Sequence, residues 1–230
     1  MDNRCIIFYD SGIGGLNLLK RTYSAFPEED YLYYGDFENM PYGNKTEEEI
    51  VGIVSRNLDK LIKFTPKLIV IACNTASTVA KKTISEKTVE TIGVFPTVGK
   101  NGKTVLICTE ATAKSGYVRE LKEKYPSLAV FPEKNLARDI EKAVSDGGVP
   151  EIDAEKYKNY DYVSLGCTHY TYIKERLLKI YPPERILSGE DAAFFKIRSF
   201  LNSHRHSGQE GSVNFMNGEK ASLKRIFSDI

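Results

Sequence analysis

One arrangement of residues occurs twice along this chain. In the first half, one apolar run ends in Asp10 and a later apolar run ends in Cys73. In the second half, one apolar run ends in Thr109 and a later one ends in Cys167, and the two ends stand a similar distance apart in both halves. The chain is therefore interpreted as two related halves, each with a polar strand end and a cysteine strand end.

Short β-branched or aromatic runs alternate with longer segments of helical period, which predicts an α/β protein with mainly parallel sheets. The predicted strands are 5–9, 31–35, 68–72, 91–94, 104–108, 128–131, 162–165 and 185–187. The predicted helices include 16–25, 47–63, 112–124 and 172–181. We expect two related α/β domains with the active site in the cleft between them.

The boundary between the halves is expected where Pro, Gly and Asn cluster, at about 96–103. From about His204 onward, the chain shows a further strand and helix signal of its own. We therefore predict a first domain of residues 1–96 plus 204–230, and a second domain of residues 97–203.

Charge and apolar content limit the class of protein. The sequence has 32 basic and 31 acidic residues, so a nucleic acid or an anionic membrane surface is not the expected partner. The apolar runs are too short for a signal peptide or a membrane span. These features predict a cytoplasmic protein, in which cysteines stay reduced.

The four cysteines fall into two classes. Cys5 and Cys108 lie within apolar runs and are interpreted as small core residues, whereas Cys73 and Cys167 follow strands directly. No C-x-x-C pair is present, so a zinc site or redox pair is not expected. Ligands of open α/β sheets bind beyond the carboxyl ends of the strands, where Cys73 and Cys167 are placed.

Two thiols on opposite sides of a small amino acid could remove its α-proton from one face and return a proton to the other. The field of a following helix is expected to lower the pKa of each thiol. A local base would help each thiol to ionise. Asp10 in the first half and His169 in the second lie at strand ends and could serve as these bases.

Four strings identify a family when they are taken together. They are Asp-Ser-Gly-x-Gly-Gly at 10–15, Pro-Tyr-Gly at 41–43, Cys-Asn-Thr-Ala-Ser at 73–77 and Gly-Cys-Thr-His-Tyr at 166–170. Their order and spacing resemble glutamate racemase over most of the chain. The resemblance implies two α/β domains with the site between them. It also implies a reaction without pyridoxal phosphate, metal or other cofactor.

The resemblance also implies roles for individual residues. Cys73 and Cys167 would be the acid/base pair, with Asp10 and His169 beside them. Glutamate would be the small-molecule substrate, and D-glutamate for bacterial peptidoglycan would be the product. The residues expected to bind the substrate are Ser11, Pro41, Tyr42, Gly43, Asn74, Thr75, Thr109, Thr112 and Thr168.

Two positions depart from the family pattern. Family members usually carry Pro after the Gly-Cys-Thr-His-Tyr string, and this chain has Thr171. They also carry a Cys-Pro segment that leads to a glutamate in the second domain. Here that region contains both Glu133 and Glu141, and the sequence leaves open which of them corresponds.

Other functions remain open from the sequence. An aspartate racemase or a broad-specificity amino-acid racemase could use the same scaffold. A cysteine hydrolase or acyl transferase could use Cys167 and His169, although that interpretation leaves Cys73 without a role. A non-catalytic binding protein is a third possibility. The sequence is compatible with a homodimer.

Overall fold

The computed structural model describes residues 2–208, 210–218 and 220–229. Two parallel sheets flanked by helices confirm the expected α/β class. The strands are β1 Ile6–Asp10, β2 Tyr31–Gly35, β3 Leu68–Ile71, β4 Thr91–Gly93, β5 Thr104–Cys108, β6 Ala129–Pro132, β7 Tyr162–Gly166, β8 Ile186–Ser188 and β9 Val213–Met216. The helices are α1 Leu16–Ala25, α2 Glu47–Ile62, α3 Asn74–Val79, α4 Lys81–Ser85, α5 Glu110–Lys114, α6 Gly116–Lys124, α7 Leu136–Ser145, α8 Lys174–Leu177, α9 Gly189–Ser203 and α10 Lys220–Asp229.

The first sheet has the strand order β4-β3-β1-β2-β9, and all its neighbouring strands are parallel. Apolar clusters cover both of its faces, and accordingly β3 and all of β1 except its last residue, Asp10, are apolar or aromatic. Strand β9 pairs with β2, which returns the end of the chain to this sheet. After β9, helix α10 packs against α1.

The second sheet has the strand order β6-β5-β7-β8 and is also parallel. One of its clusters contains Tyr157, Tyr170 and Cys167, and the other contains Cys108. Cys108 is fully buried, and Cys5 packs partly buried against the first sheet. Both cysteines therefore lie in apolar surroundings, as the sequence predicts.

Helix α9 packs on the first sheet although it follows the last strand of the second. Its buried side chains Ala193, Ile197 and Leu201 belong to the cluster that covers β1 and β3. We therefore propose that the unit built on the first sheet also includes α9. Apart from the placement of α9, the division into a first domain of 1–96 plus 204–230 and a second domain of 97–203 stays a prediction.

Two predicted helices have a different form in the structure. The segment predicted as 112–124 is divided at Ser115, whose extended backbone ends α5 and whose hydroxyl caps α6 by accepting from Val118 N. The segment predicted as 172–181 is a 3-10 turn over Thr168–Ile173 followed by the short helix α8. Side-chain hydroxyls bond to the backbone in both places and compete with a continuous helix.

The carboxyl ends of the two sheets face each other. β1 and β3 lead to Asp10 and Cys73 from one side, and β5 and β7 lead to Thr109 and Cys167 from the other. Hydrogen bonds across this junction join the two halves directly, as described below. None of the helices among the residues described is long and apolar enough to cross a membrane.

Candidate active site

Cys73 and Cys167 line the same cavity, one from each half of the chain. The cavity is small, about 10 Å3, which is the room that a single water molecule needs. Its lining residues are Ser11, Met40, Pro41, Tyr42, Gly43, Cys73, Thr75, Thr109, Ala137, Cys167 and His169. The structure thus brings together both cysteines, His169 and six of the residues expected to bind substrate.

Cys73 follows β3 and is the N-cap residue of α3. Its Sγ accepts a hydrogen bond from Ala76 N at 3.5 Å and donates one to Ser11 Oγ at 3.7 Å. Burial raises the pKa of Cys73 to about 12, and the nearby Asp10 adds to the increase. The expectation that this position lowers the thiol pKa is therefore wrong for Cys73, whose thiol keeps its proton at neutral pH.

Cys167 lies beside a buried histidine. Its Sγ is 3.8 Å from His169 Nδ1, and His169 Nε2 is 2.5 Å from Glu141 Oε2. Burial alone would lower the pKa of His169, but Cys167 and Glu141 raise it well above 6.5. The protonated ring donates from both nitrogens, so the imidazolium can stabilise negative charge on Cys167 Sγ.

The structure distinguishes between the two candidate glutamates of the second half. Glu141, on α7, bonds to His169 and also accepts from Ile13 N of the first half at 3.1 Å. Glu133 instead bonds to Lys156 and to Tyr157 Oη. Glu141 is therefore the glutamate at the site, because only its carboxylate reaches the histidine.

Asp10 is fully buried at the end of β1. Its Oδ1 accepts from Gly12 N at 2.8 Å, and its Oδ2 accepts from Thr168 Oγ1 at 3.0 Å. Burial raises the pKa of Asp10 above its usual value, while His169 and these hydrogen bonds oppose the increase. The carboxylate thus bonds to the residue next to Cys167, although it belongs to the half that carries Cys73.

Three threonine hydroxyls meet where the halves join. Thr75 Oγ1 lies 3.0 Å from Thr109 Oγ1 and 3.1 Å from Thr112 Oγ1, and the last two oxygens are 3.0 Å apart. Thr75 belongs to the first half, whereas Thr109 and Thr112 belong to the second. Since each hydroxyl can donate or accept, this group could turn its donors toward a carboxylate.

A buried network behind the Pro41–Gly43 turn was not predicted. Tyr42 Oη donates to Asp36 Oδ2 at 2.5 Å and also contacts Tyr9 Oη at 2.5 Å. Asn57 Nδ2 donates to the same Asp36 oxygen at 2.8 Å. These bonds engage the Tyr42 hydroxyl and fix the turn that lines the cavity.

The remaining expected residues lie behind the lining. Asp10 and Thr168 bond to each other, Thr112 completes the threonine group, and Asn74 Nδ2 donates to Val94 O at 3.3 Å. Met40 and Ala137 line the cavity without having been predicted, because neither has a chemical signal in the sequence. No group of three or more His, Cys, Asp and Glu in the described part of the chain could hold a metal ion.

The chain is similar in sequence and structure to glutamate racemases. No protein-family model matches the chain. A curated relative, glutamate racemase of Clostridium botulinum (strain Alaska E43), is 35% identical across 94% of this chain and 92% of the relative. The structure of glutamate racemase from Francisella tularensis in complex with D-glutamate has a TM-score of 0.83 and 29% identity, covering 100% of this chain and 95% of that one. The structure of glutamate racemase isoform RacE1 from Bacillus anthracis has a TM-score of 0.79 and 25% identity, and the match covers 100% of this chain and 94% of that one.

Proposed function

The chain belongs to the glutamate racemase family, so it is an amino-acid racemase, and we propose that it interconverts L- and D-glutamate by a proton relay between Cys73 and Cys167. The reaction would use no cofactor, and its D-glutamate would supply bacterial peptidoglycan synthesis. Membership of this family favours an isomerase over the cysteine hydrolase and binding-protein alternatives.

The observation that carries the proposal is the pairing of two buried thiols, one from each half, in one cavity. Cys73 and Cys167 are 4% and 6% exposed, and each has an ionisable neighbour. Asp10 acts on Cys73 through its charge, and His169 contacts Cys167 directly. Racemisation needs an acid and a base on opposite faces of one carbon, and this arrangement supports such a pair.

The protonation states of the residues around the cavity support an assignment of the acid and the base at the start of the reaction. Cys73 carries a proton, because its pKa is about 12, and Cys167 beside the imidazolium of His169 is the base. The Cys167 thiolate takes the α-proton, and the electron pair of the broken C–H bond passes to the α-carbon and its carboxylate. Cys73 then gives its proton to the opposite face, so the chirality is inverted. In the reverse direction the two thiols exchange roles.

The charges of bound glutamate would also act on the two thiols and on the groups around them. The α-ammonium of glutamate brings a positive charge between the thiols, which favours the thiolate form of either. The threonine group of Thr75, Thr109 and Thr112, with Ser11 and the Pro41–Gly43 turn, offers hydroxyl and backbone donors to the two carboxylates. These positions are the proposed substrate contacts.

Circular dichroism of the substrate tests the proposed activity. Incubation with L-glutamate or D-glutamate, without added cofactor, should bring both solutions to the same racemic end point. Cys73→Ala and Cys167→Ala should each abolish the change, whereas the matched Cys5→Ala and Cys108→Ala variants should retain it. No change with either enantiomer of glutamate would contradict the proposal. A faster change with aspartate would assign the site to that substrate.

A further inference from the structure

Thr171 lies in the 3-10 turn Thr168–Ile173, and its hydroxyl takes part in two hydrogen bonds. Asn17 Nδ2, on α1 of the first half, donates to Thr171 Oγ1 at 2.8 Å. Thr171 Oγ1 in turn donates to the carbonyl oxygen of Thr168 at 2.7 Å. A side chain without a hydroxyl could form neither bond.

These bonds continue into the site. Thr168 Oγ1 donates to Asp10 Oδ2 at 3.0 Å, and Thr168 stands between Cys167 and His169 in the chain. Side-chain bonds join this turn to the first half at Asp10 on β1, through Thr171 at Asn17 on α1, and at Ile13, whose carbonyl oxygen accepts from Tyr172 Oη at 3.3 Å. The Asn17–Thr171 bond is the one that attaches the turn to α1, so its loss would loosen the turn on that side.

We propose that Thr171, with Asn17, is a positioning residue that holds the turn bearing Cys167 and His169 in register with Asp10. The inference rests on the proposed function, since it concerns the alignment of that racemase site. The halves can make the Asn17–Thr171 bond only when they are together, so the bond favours the form in which both thiols line one cavity.

The test compares variants that remove the hydroxyl with one that keeps it. Thr171→Val keeps the side-chain shape and removes both bonds. We expect KM for either enantiomer of glutamate to rise by roughly three- to tenfold, which corresponds to the net contribution of about one ordinary hydrogen bond. The value of kcat should change less. Thr171→Ser should restore KM to near the wild-type value, because serine retains the hydroxyl.

A double-mutant cycle separates this role from general stabilisation. Asn17→Ala should raise KM as Thr171→Val does, and the double variant should be no worse than Thr171→Val alone, because the shared bond is already lost. Thr83→Val on α4, outside the cleft, is the matched control and should leave KM unchanged. A KM within twofold of wild type for Thr171→Val, strictly additive effects, or no recovery with Thr171→Ser would overturn the inference.

A readout that does not use activity keeps this inference separate from the proposed function. Alkylation of Cys167 by iodoacetamide, followed by peptide mass spectrometry, should be faster in Thr171→Val and Asn17→Ala than in wild type, because the turn is less firmly held. Equal Cys167 alkylation rates in all three proteins would overturn the positioning role. Failure of the wild-type protein to racemise glutamate would instead contradict the proposed function.

Discussion

At Cys73, two effects on the pKa of the thiol oppose each other. The N-terminus of a helix stabilises a negative charge by roughly 0.3–1 kcal/mol, which is less than one pKa unit. Burial and the neighbouring Asp10 act in the other direction and raise the pKa from 9.0 to about 12. Burial is the larger effect. The position of Cys73 at a strand end therefore predicted correctly that it lines the cavity, but predicted its charge wrongly.

This balance predicts how Cys73 reacts when no substrate is bound. Only the thiolate is alkylated, so the rate at Cys73 should rise about tenfold per pH unit from pH 7 to 10 without reaching a plateau. The measurement is iodoacetamide labelling at several pH values, followed by mass spectrometry of the peptide that contains Cys73. A plateau near pH 8 would show a thiol of ordinary or lowered pKa and would contradict this assignment of the proton.

The protonation of His169 makes the stability of the fold depend on pH. Cys167 and Glu141 raise its pKa well above 6.5 in the folded protein despite burial. A group with a raised folded-state pKa stabilises the fold fully below its unfolded pKa, and this contribution is lost as the pH rises through the folded value. The stabilisation from His169 is therefore present at pH 6 and declines in alkaline solution.

We accordingly expect wild type to have a higher free energy of unfolding than His169→Asn, and we expect this difference to be largest at about pH 6. The difference should shrink as the pH rises into the alkaline range, and urea unfolding at several pH values measures it. His204→Asn, at an exposed histidine, is the matched control. A difference that grows with pH would contradict the protonated state of His169.

Residues with a motif could be found from the sequence, and residues that act through tertiary contacts could not. Cys73, Cys167 and His169 stand in specific strings and line one cavity. Glu141 was one of two candidates, because its role depends on how α7 packs against the turn that carries His169. Asp36 gave no signal, since its importance comes from a buried bond to Tyr42.

Among the elements, strands were easier to predict than helices. The predicted strand at 104–108 coincides with β5, because a buried parallel strand is a continuous apolar run with clear ends. The predicted helix at 112–124 missed the break at Ser115, where the side chain bonds both to Thr112 O and to Val118 N. Helical period alone does not show such a break, because a serine is compatible with either backbone.

The loop between β1 and α1 is shaped by the other half of the chain. A Cβ at Gly14 would lie 2.5 Å from Thr168 Oγ1 and 2.8 Å from the backbone nitrogen of His169. The backbone contact cannot be relieved by rotating a side chain. Glycine at this position therefore lets the loop approach the turn that carries His169.

Gly14→Ala should separate the loop from that turn and misalign the two thiols. Displacements of about 1 Å cost roughly a hundredfold in rate, so kcat/KM should fall by about that factor while the protein stays folded. Gly52→Ala, in α2, is the matched control, because its Cβ would meet only the flexible Arg56 side chain. Equal kcat/KM values for the two variants would contradict the close approach described here.

At the scale of the whole molecule, the two halves form a closed cleft. Hydrogen bonds cross between them from Ile13 to Glu141 and from Thr168 to Asp10, as well as within the threonine group. A cavity of about 10 Å3 is too small for glutamate, so the halves must separate to admit substrate and to release product. In the proposed relay, the halves close around bound substrate and keep water from the thiols, and they open between turnovers so that the thiol protons exchange with solvent.

This alternation makes isotope transfer the most direct test of the two-thiol relay. L-glutamate is racemised in D2O, the reaction is stopped after a small conversion, and the separated enantiomers are analysed by mass spectrometry. Cys73 will carry deuterium from solvent, so the D-glutamate formed should contain deuterium at Cα while the remaining L-glutamate stays largely protiated. Protium at Cα of the product, or equal early deuteration of both enantiomers, would contradict a relay in which each cysteine serves one face.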